Sequence, residues 1–404
     1  MANRLAERLQ GVTESSTLKM NALARELVAK GTKVYNLTAG EPNFDVPPVI
    51  REAAKEAVDK NFSKYTPVAG IADLKKAIQQ KLKKENSLEY AVDQILVSVG
   101  AKHSIFNALM ALINPGDEVL IPAPYWVSYP EMVKLFGGVP IILETTQESG
   151  YKISAKDIKG AITPKTKLLI LNSPSNPTGV TYCRSELESF AGALEDSKVL
   201  VLSDEVYEKI IFDKKVVKEG YTSFASLSQD AYDRTITVNS FSKTYAMTGW
   251  RLGYAAGPKD ILNAMALIQG QSTSGATSIV QKAAIDAFKV SESTLKEWCS
   301  VYERRLKKYE EIFSGEKNLS YIRPQGAFYF FLNIGSAIGK SYNHDNVLAG
   351  SEEVAFYLLD AYHVATVAGR GFGADEYLRL SFAVSDEELE LGAKKIIEGL
   401  KALR

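Results

Sequence analysis

Several apolar runs in this chain end on residues with reactive or strongly polar side chains. Leu168–Leu171 is followed by Asn172-Ser173-Pro174-Ser175-Asn176-Pro177-Thr178-Gly179, and Val199–Leu202 by Ser203-Asp204-Glu205-Val206-Tyr207. Ile236–Val238 leads into Asn239-Ser240-Phe241-Ser242-Lys243, and Ile95–Val99 into Gly100-Ala101-Lys102. In an open parallel sheet, ligands bind beyond the carboxyl ends of the strands. If these runs are such strands, one rim carries amines, a carboxylate, amides and hydroxyls together. A lysine amine there can react with a carbonyl and later serve as general acid and base. A carboxylate can keep a ring nitrogen protonated, so that the ring draws electrons from a bound substrate. Hydroxyls, backbone N–H groups and an arginine can hold a phosphate dianion. A second arginine suits a substrate carboxylate.

The elements that must position this set read as an α/β protein. Ile95–Val99 reads as a strand, Ser104–Ile113 as a helix and Asn114-Pro115-Gly116-Asp117 as a turn. Val119–Ile121, Val139–Leu143, Leu168–Leu171, Val199–Leu202 and Ile236–Val238 are further strands, mostly separated by helical stretches. Continuous rather than alternating apolar runs imply strands buried on both faces, and this alternation implies a mainly parallel sheet covered by helices. Upstream, a helix is expected from Ser16/Thr17 to near Gly31, an extended segment over Val34–Thr38, and helices from Pro47 to Asp59 and from Ile71 to Lys84. Past residue 290 the texture changes to a long charged helix (Ser293–Phe313), strand-like Tyr329–Leu332 and Tyr377–Phe382, and a closing helix from about Ser385. This is the pattern of a second, smaller α/β domain. At 404 residues the chain exceeds one compact core. Composition does not say which domain the N-terminal segment joins.

Bulk composition narrows the partners. Lys+Arg and Asp+Glu are 48 each, so there is no basic excess for nucleic acid or an anionic membrane. Two cysteines (Cys183, Cys299) and three scattered histidines (His103, His344, His363) make neither a disulfide framework nor a metal cage. The N-terminal MANRLAERLQ has no apolar signal core, and no run of about 18 apolar residues occurs, so a cytoplasmic protein without a membrane span is expected. No strand is followed by G-x-G-x-x-G, which sets aside a nicotinamide dehydrogenase.

The rim set is what pyridoxal 5′-phosphate chemistry requires, and the surrounding blocks carry a resemblance. Ser240-Phe241-Ser242-Lys243-Thr244-Tyr245-Ala246-Met247-Thr248-Gly249-Trp250-Arg251 resembles the lysine motif of class I, fold-type-I aminotransferases. Thr38-Ala39-Gly40-Glu41-Pro42, Tyr65-Thr66-Pro67-Val68-Ala69-Gly70, Pro124-Tyr125-Trp126-Val127-Ser128-Tyr129-Pro130, Asn172 to Gly179, Ser203 to Tyr207 and Arg379-Leu380-Ser381 follow in family order. The chain is similar to the bacterial aspartate aminotransferase subgroup that includes bifunctional aspartate/prephenate enzymes. The resemblance implies a mainly parallel seven-stranded sheet in a large domain (48–290) and a small domain from 1–47 and 291–404. It implies that Lys243 carries the cofactor, Asp204 pairs with its ring nitrogen, and Asn176 and Tyr207 bond its phenolic oxygen. Trp126 would stack on the ring, and Gly100, Ala101, Lys102, Ser240 and Arg251 would hold the phosphate. Tyr65 would reach that phosphate from the other subunit of a homodimer. Arg379, with Asn176 and the Gly40 backbone, would bind the substrate α-carboxylate, and Lys102 the distal carboxylate of an acidic substrate. Thr17 matches a position near the substrate entrance, although Thr13 and Glu14 replace the Lys and Pro usual just before it.

Each of these residues also has a plainer reading. Asp204 could cap a helix after a strand, Arg379 could serve a structural salt bridge, Trp126 could fill core and Asn176 could form a turn before Pro177. Lys102 resists a purely structural reading, because a cation at a helix start opposes the helix dipole. The expected activity is ping-pong transfer of an amino group between aspartate and 2-oxoglutarate. A bifunctional aspartate/prephenate or aromatic amino-acid aminotransferase is the alternative. A C–S lyase or a kynurenine aminotransferase is more distant. A cofactor-binding transcription regulator would need an added basic N-terminal domain.

Overall fold

The computed structural model describes residues 5–9, 11–13, 16–217, 220–342 and 346–404; His344 and Glu14 lie outside them. All six apolar runs become strands: β1 (Ile95–Ser98), β2 (Glu118–Pro122), β3 (Val139–Leu143), β4 (Thr166–Asn172), β5 (Leu200–Asp204) and β6 (Thr235–Ser240). A seventh, β7 (Gly253–Ala256), completes a sheet of order β1-β7-β6-β5-β4-β2-β3. Only β7 runs against its neighbours. The apolar runs are continuous because each strand faces core on both sides. Val119, Ile121 and Ile170 pack on one face, while Leu120, Leu169 and Leu171 pack on the other.

Strand β7 escaped the apolar signature because three of its four residues are glycine or alanine, and Gly253 is small for a reason. A Cβ on Gly253 would lie 2.5 Å from the Ala101 nitrogen and 2.7 Å from the Gly100 carbonyl carbon. The chain leaving β1 therefore rests directly on β7. Register brings the working ends level: Asn172 pairs with Asp204, Asp204 with Val238, and Gly253 with both Ser98 and Ser240.

Helices α1 (Ser16–Ala29), α2 (Pro48–Asp59), α3 (Ala72–Asn86), α4 (Ala101–Leu112) and α5 (Ser128–Leu135) follow the expected sequence of elements. Helix α4 begins at Ala101 rather than at the expected Ser104. Its N-cap is Gly100, at φ 84° and ψ 163° with no side-chain cap, so the usual Ser/Thr/Asp signal is missing. The earlier start places Ala101 and Lys102 in the first turn, whose N–H groups have no intrahelical acceptors.

A second sheet, all antiparallel, has the order β10-β11-β9-β8, where β8 is Ser320–Tyr321, β9 Tyr329–Asn333, β10 Val367–Ala368 and β11 Tyr377–Ser381. Helices α6 (Glu292–Phe313) and α7 (Asp386–Ala402) cover it, the latter capped by Ser385. Met20 and Ala24 of α1 and Leu37 enter the same core, and Tyr35–Asn36 pairs in parallel with Val364–Ala365. That pairing carries Thr38 and Gly40 to the rim of the large sheet. Val206 and Tyr207, just past β5, also belong to this core, so the two sheets meet beside Asp204. No helix among the described residues is long and apolar enough to cross a membrane.

Candidate active site

Between the rim and the second sheet lies a cleft of about 390 Å³, lined by Lys243, Asp204, Arg379, Arg251, Lys102 and other residues of the rim set. Lys243 sits in a four-residue helix, Phe241–Thr244, opened by Ser240, whose Oγ accepts from Ser242 N at 3.3 Å. Its ammonium donates to the Gly40 carbonyl. Burial lowers its pKa to about 8; Glu41 opposes that shift, while Arg379 and Arg251 add to it. The amine is thereby poised near neutrality, where it can both give and take a proton.

Asp204 ends β5 and is buried. Tyr129 donates to its Oδ2 at 2.6 Å, and Val206 N reaches its Oδ1 at 3.4 Å. Burial pushes its pKa up to about 6, against the pull of the Tyr129 hydrogen bond. No helix starts at Asp204, so it is not a cap.

Arg379 lies on β11, with Leu378 and Leu380 turned into the core behind it. It is only 2% exposed. Its Nη1 donates to Asn176 Oδ1 and its Nη2 to the Thr38 carbonyl, both at 3.0 Å. Its Nε has no partner among the described residues. Burial lowers its pKa, and the groups that oppose the shift are the phenols of Tyr329 and Tyr207, not a carboxylate. No salt bridge to Arg379 occurs among the described residues. Leaving a buried guanidinium without an anion costs several kcal/mol (about 3–5), so the geometry calls for an anionic ligand.

A second group of potential anion donors lies where β1 meets α4. Gly100 sits at φ 84°, where a side chain is strained, and a Cβ there would lie 2.6 Å from Arg251 Nη2, so glycine lets the guanidinium lie close over the open first turn. Arg251 has φ 53° and is steadied by Nη1 donating to the Thr248 carbonyl at 2.8 Å. Ala101, Lys102 and Ser240 line the same end of the cleft. Uncapped helix N–H groups, a hydroxyl and a guanidinium are the donor set of a phosphate site.

Between the two anion sites stand aromatic and amide groups. Trp126 meets Tyr129 edge-on at 5.2 Å, and the Lys102 ammonium lies 4.7 Å from the Trp126 ring centroid. Burial lowers the Lys102 pKa, and the Arg251 charge adds to that. Asn176 does more than form a turn: its N–H donates to Asn172 Oδ1 at 2.8 Å, and its own Oδ1 accepts from Arg379 Nη1. The Tyr207 hydroxyl is 2.8 Å from that of Tyr329. Tyr65 stands apart from the cleft and is fully exposed. Thr17 belongs to α1, but its side chain lies outside what the structure describes.

Sequence reasoning gave no role to Tyr129, Tyr329, Asn172 or Thr38. Tyr129, Asn172 and Thr38 lie inside blocks already singled out, and their strand-end or pre-helix positions were the available signal. Tyr329 opens an apolar strand and reads as core.

Comparison with known proteins agrees across the chain. Residues 32–396 match the family described as aminotransferase class I and II. A probable aspartate/prephenate aminotransferase of Rhizobium leguminosarum bv. phaseoli is 45% identical over 394 residues, covering 97% of each chain. The crystal structure of an aspartate aminotransferase from Rhizobium meliloti superposes with a TM-score of 0.94 at 37% identity, covering 100% of both chains. An aspartate aminotransferase from Thermus thermophilus, solved with maleate, gives a TM-score of 0.91 at 36% identity, covering 98% of this chain and 100% of the other.

Proposed function

The chain belongs to the aminotransferase class I and II family, and from that premise we propose that it is an aspartate:2-oxoglutarate aminotransferase that holds pyridoxal 5′-phosphate on Lys243. The observation that carries this reading is that Lys243, Asp204 and Arg379 are buried in one cleft, with no salt bridge from any of them to another described residue. An aldehyde for the Lys243 amine, a basic ring nitrogen for Asp204 and an adjoining carboxylate for Arg379 complement all three.

The residues fit that cofactor. The open turn at Gly100–Lys102 under Arg251 suits its phosphate, and the Asp204 carboxylate, oriented by Tyr129, suits its ring nitrogen. Bound there, pyridoxal phosphate supplies an aldehyde that takes up amino groups and a protonated ring that delocalises electrons left at a substrate α-carbon. Asp204 keeps the proton on that ring. Lys243 holds the cofactor and then carries a proton at the substrate α-carbon, a task suited to an amine poised near pH 8. Arg379 binds the α-carboxylate, with Asn176 and the Gly40 backbone orienting it, and Lys102 meets the distal carboxylate. Trp126 flanks the ring, and Tyr207 with Asn176 donates to its phenolic oxygen.

The same reading divides the chain into a large domain, 48–290, and a small domain of 1–47 with 291–404. It makes the protein a homodimer in which Tyr65, without contacts to the cleft of its own chain, completes the partner's phosphate site. A second reading has one specific support. The Rhizobium leguminosarum relative is named for prephenate as well as aspartate. Prephenate also carries a second carboxylate, for which Lys102 is suited. Initial rates with aspartate and 2-oxoglutarate varied together test the proposal. Parallel double-reciprocal lines are expected, and turnover with neutral but not acidic donors would reject it. Prephenate offered as acceptor tests the second reading.

A further inference from the structure

We infer that Tyr329 is a positioning residue that ties the carboxylate-binding Arg379 to the Tyr207 hydroxyl, so that one side chain sets both substrate grip and cofactor electronics. The inference rests on the roles proposed above for Arg379 and Tyr207.

Tyr329 is buried at the start of β9, paired with Ser381 two residues beyond Arg379. Its ring centroid lies 4.4 Å from the Arg379 guanidinium carbon. Its hydroxyl is 2.8 Å from that of Tyr207, and the two rings meet edge-on at 5.8 Å and 82°. Tyr207 and Arg379 themselves come from different sheets, so Tyr329 is a physical link between them. In the shared phenol pair one hydroxyl donates and the other accepts. Tyr207 must spend its own proton on the cofactor oxygen, so Tyr329 donates to Tyr207. A cation on the face of a phenol ring withdraws electron density and makes its O–H a better donor. Donation into the Tyr207 oxygen in turn strengthens the hydrogen bond that Tyr207 gives. The ring also holds the guanidinium in place where Nε lacks a protein partner.

Two variants separate the ring from the hydroxyl. Tyr329→Phe keeps the volume and the face under Arg379; Tyr329→Leu removes both ring and hydroxyl. With cofactor-loaded dimer, one measurement is the pH midpoint of the visible absorption band, which senses hydrogen bonds to the cofactor oxygen. The other is the dissociation constant of maleate, a dicarboxylate that cannot donate an amino group. Tyr329→Phe should move the midpoint by about 0.4–1 pH unit, the loss of one net hydrogen bond, with maleate binding kept within about two-fold. In a Tyr207→Phe background the same change should add no further shift. Tyr329→Leu should weaken maleate about three- to thirty-fold, the range of a buried cation–π contact. A wild-type midpoint in Tyr329→Phe, or wild-type maleate binding in Tyr329→Leu beside a defective Arg379→Gln, overturns the inference. Normal maleate binding by Arg379→Gln overturns the reading beneath it.

Discussion

Tyr129 and Asp204 meet at 2.6 Å in the floor of the cleft, the phenol donating to a carboxylate that has no other side-chain donor among the described residues. Burial drives Asp204 toward its neutral form, and this hydrogen bond works against that drive. Tyr129→Phe should therefore reduce kcat with aspartate roughly ten-fold, the value of one charge-assisted hydrogen bond. Asp204→Ala should cost orders of magnitude in kcat, with a smaller loss of cofactor affinity. Steady-state rates at saturating cofactor check both, and near-normal kcat in Asp204→Ala would sink the proposed role.

The pH dependence of cofactor capture follows from Lys243. Its pKa is lowered to about 8, and only the neutral amine reacts with a carbonyl. In apoprotein, capture of pyridoxal phosphate should accelerate as pH rises through about 8 and level off above it. Stopped-flow absorbance reads this directly. A midpoint near 10.5, the ordinary lysine value, would mean that the amine is not desolvated as described.

Lys102 is the group proposed to meet the distal carboxylate, and its removal tests substrate choice. A partly buried carboxylate without a cationic partner costs several kcal/mol. Lys102→Ala should lower kcat/KM for aspartate by about 2–4 kcal/mol, roughly 30- to 1000-fold. Alanine or phenylalanine as donor should lose much less. An equal drop for acidic and neutral donors would confine Lys102 to the phosphate site and favour an aromatic or broad-specificity enzyme.

Gly100 offers a test of the phosphate site that leaves every polar group in place. At φ 84° a side chain is strained, and its Cβ would push against Arg251 Nη2 at 2.6 Å. Gly100→Ala should weaken cofactor binding by about 5- to 160-fold if the strain of about 1–3 kcal/mol is expressed in the bound site. Equilibrium dialysis of the apoprotein measures it; unchanged affinity would remove Arg251 from the phosphate.

The sheet and its rim were legible because the strands are buried on both faces, and such burial leaves continuous apolar runs that end where the chemistry begins. That logic alone put Lys243, Asp204, Asn176 and Lys102 at one rim, where they do line one cleft; their separate roles came from the resemblance. What stayed hidden obeys other rules. Gly253 of β7 is glycine because the chain leaving β1 lies on it, and α4 starts early behind Gly100, a glycine in place of the usual capping side chain. Tyr329 looks like core because its ring is core; only its hydroxyl and the guanidinium above it reveal another use. Long-range pairings such as Thr38 with Arg379 have no local signature at all.

The central claim is that Lys243 carries the cofactor. Borohydride reduction of the loaded protein, followed by peptide mapping, tests it most directly. The expected result is a single stable pyridoxyl label on Lys243, with Lys243→Ala still binding cofactor but losing the label and essentially all turnover. A label on any other lysine, or substantial turnover by Lys243→Ala, would contradict the account.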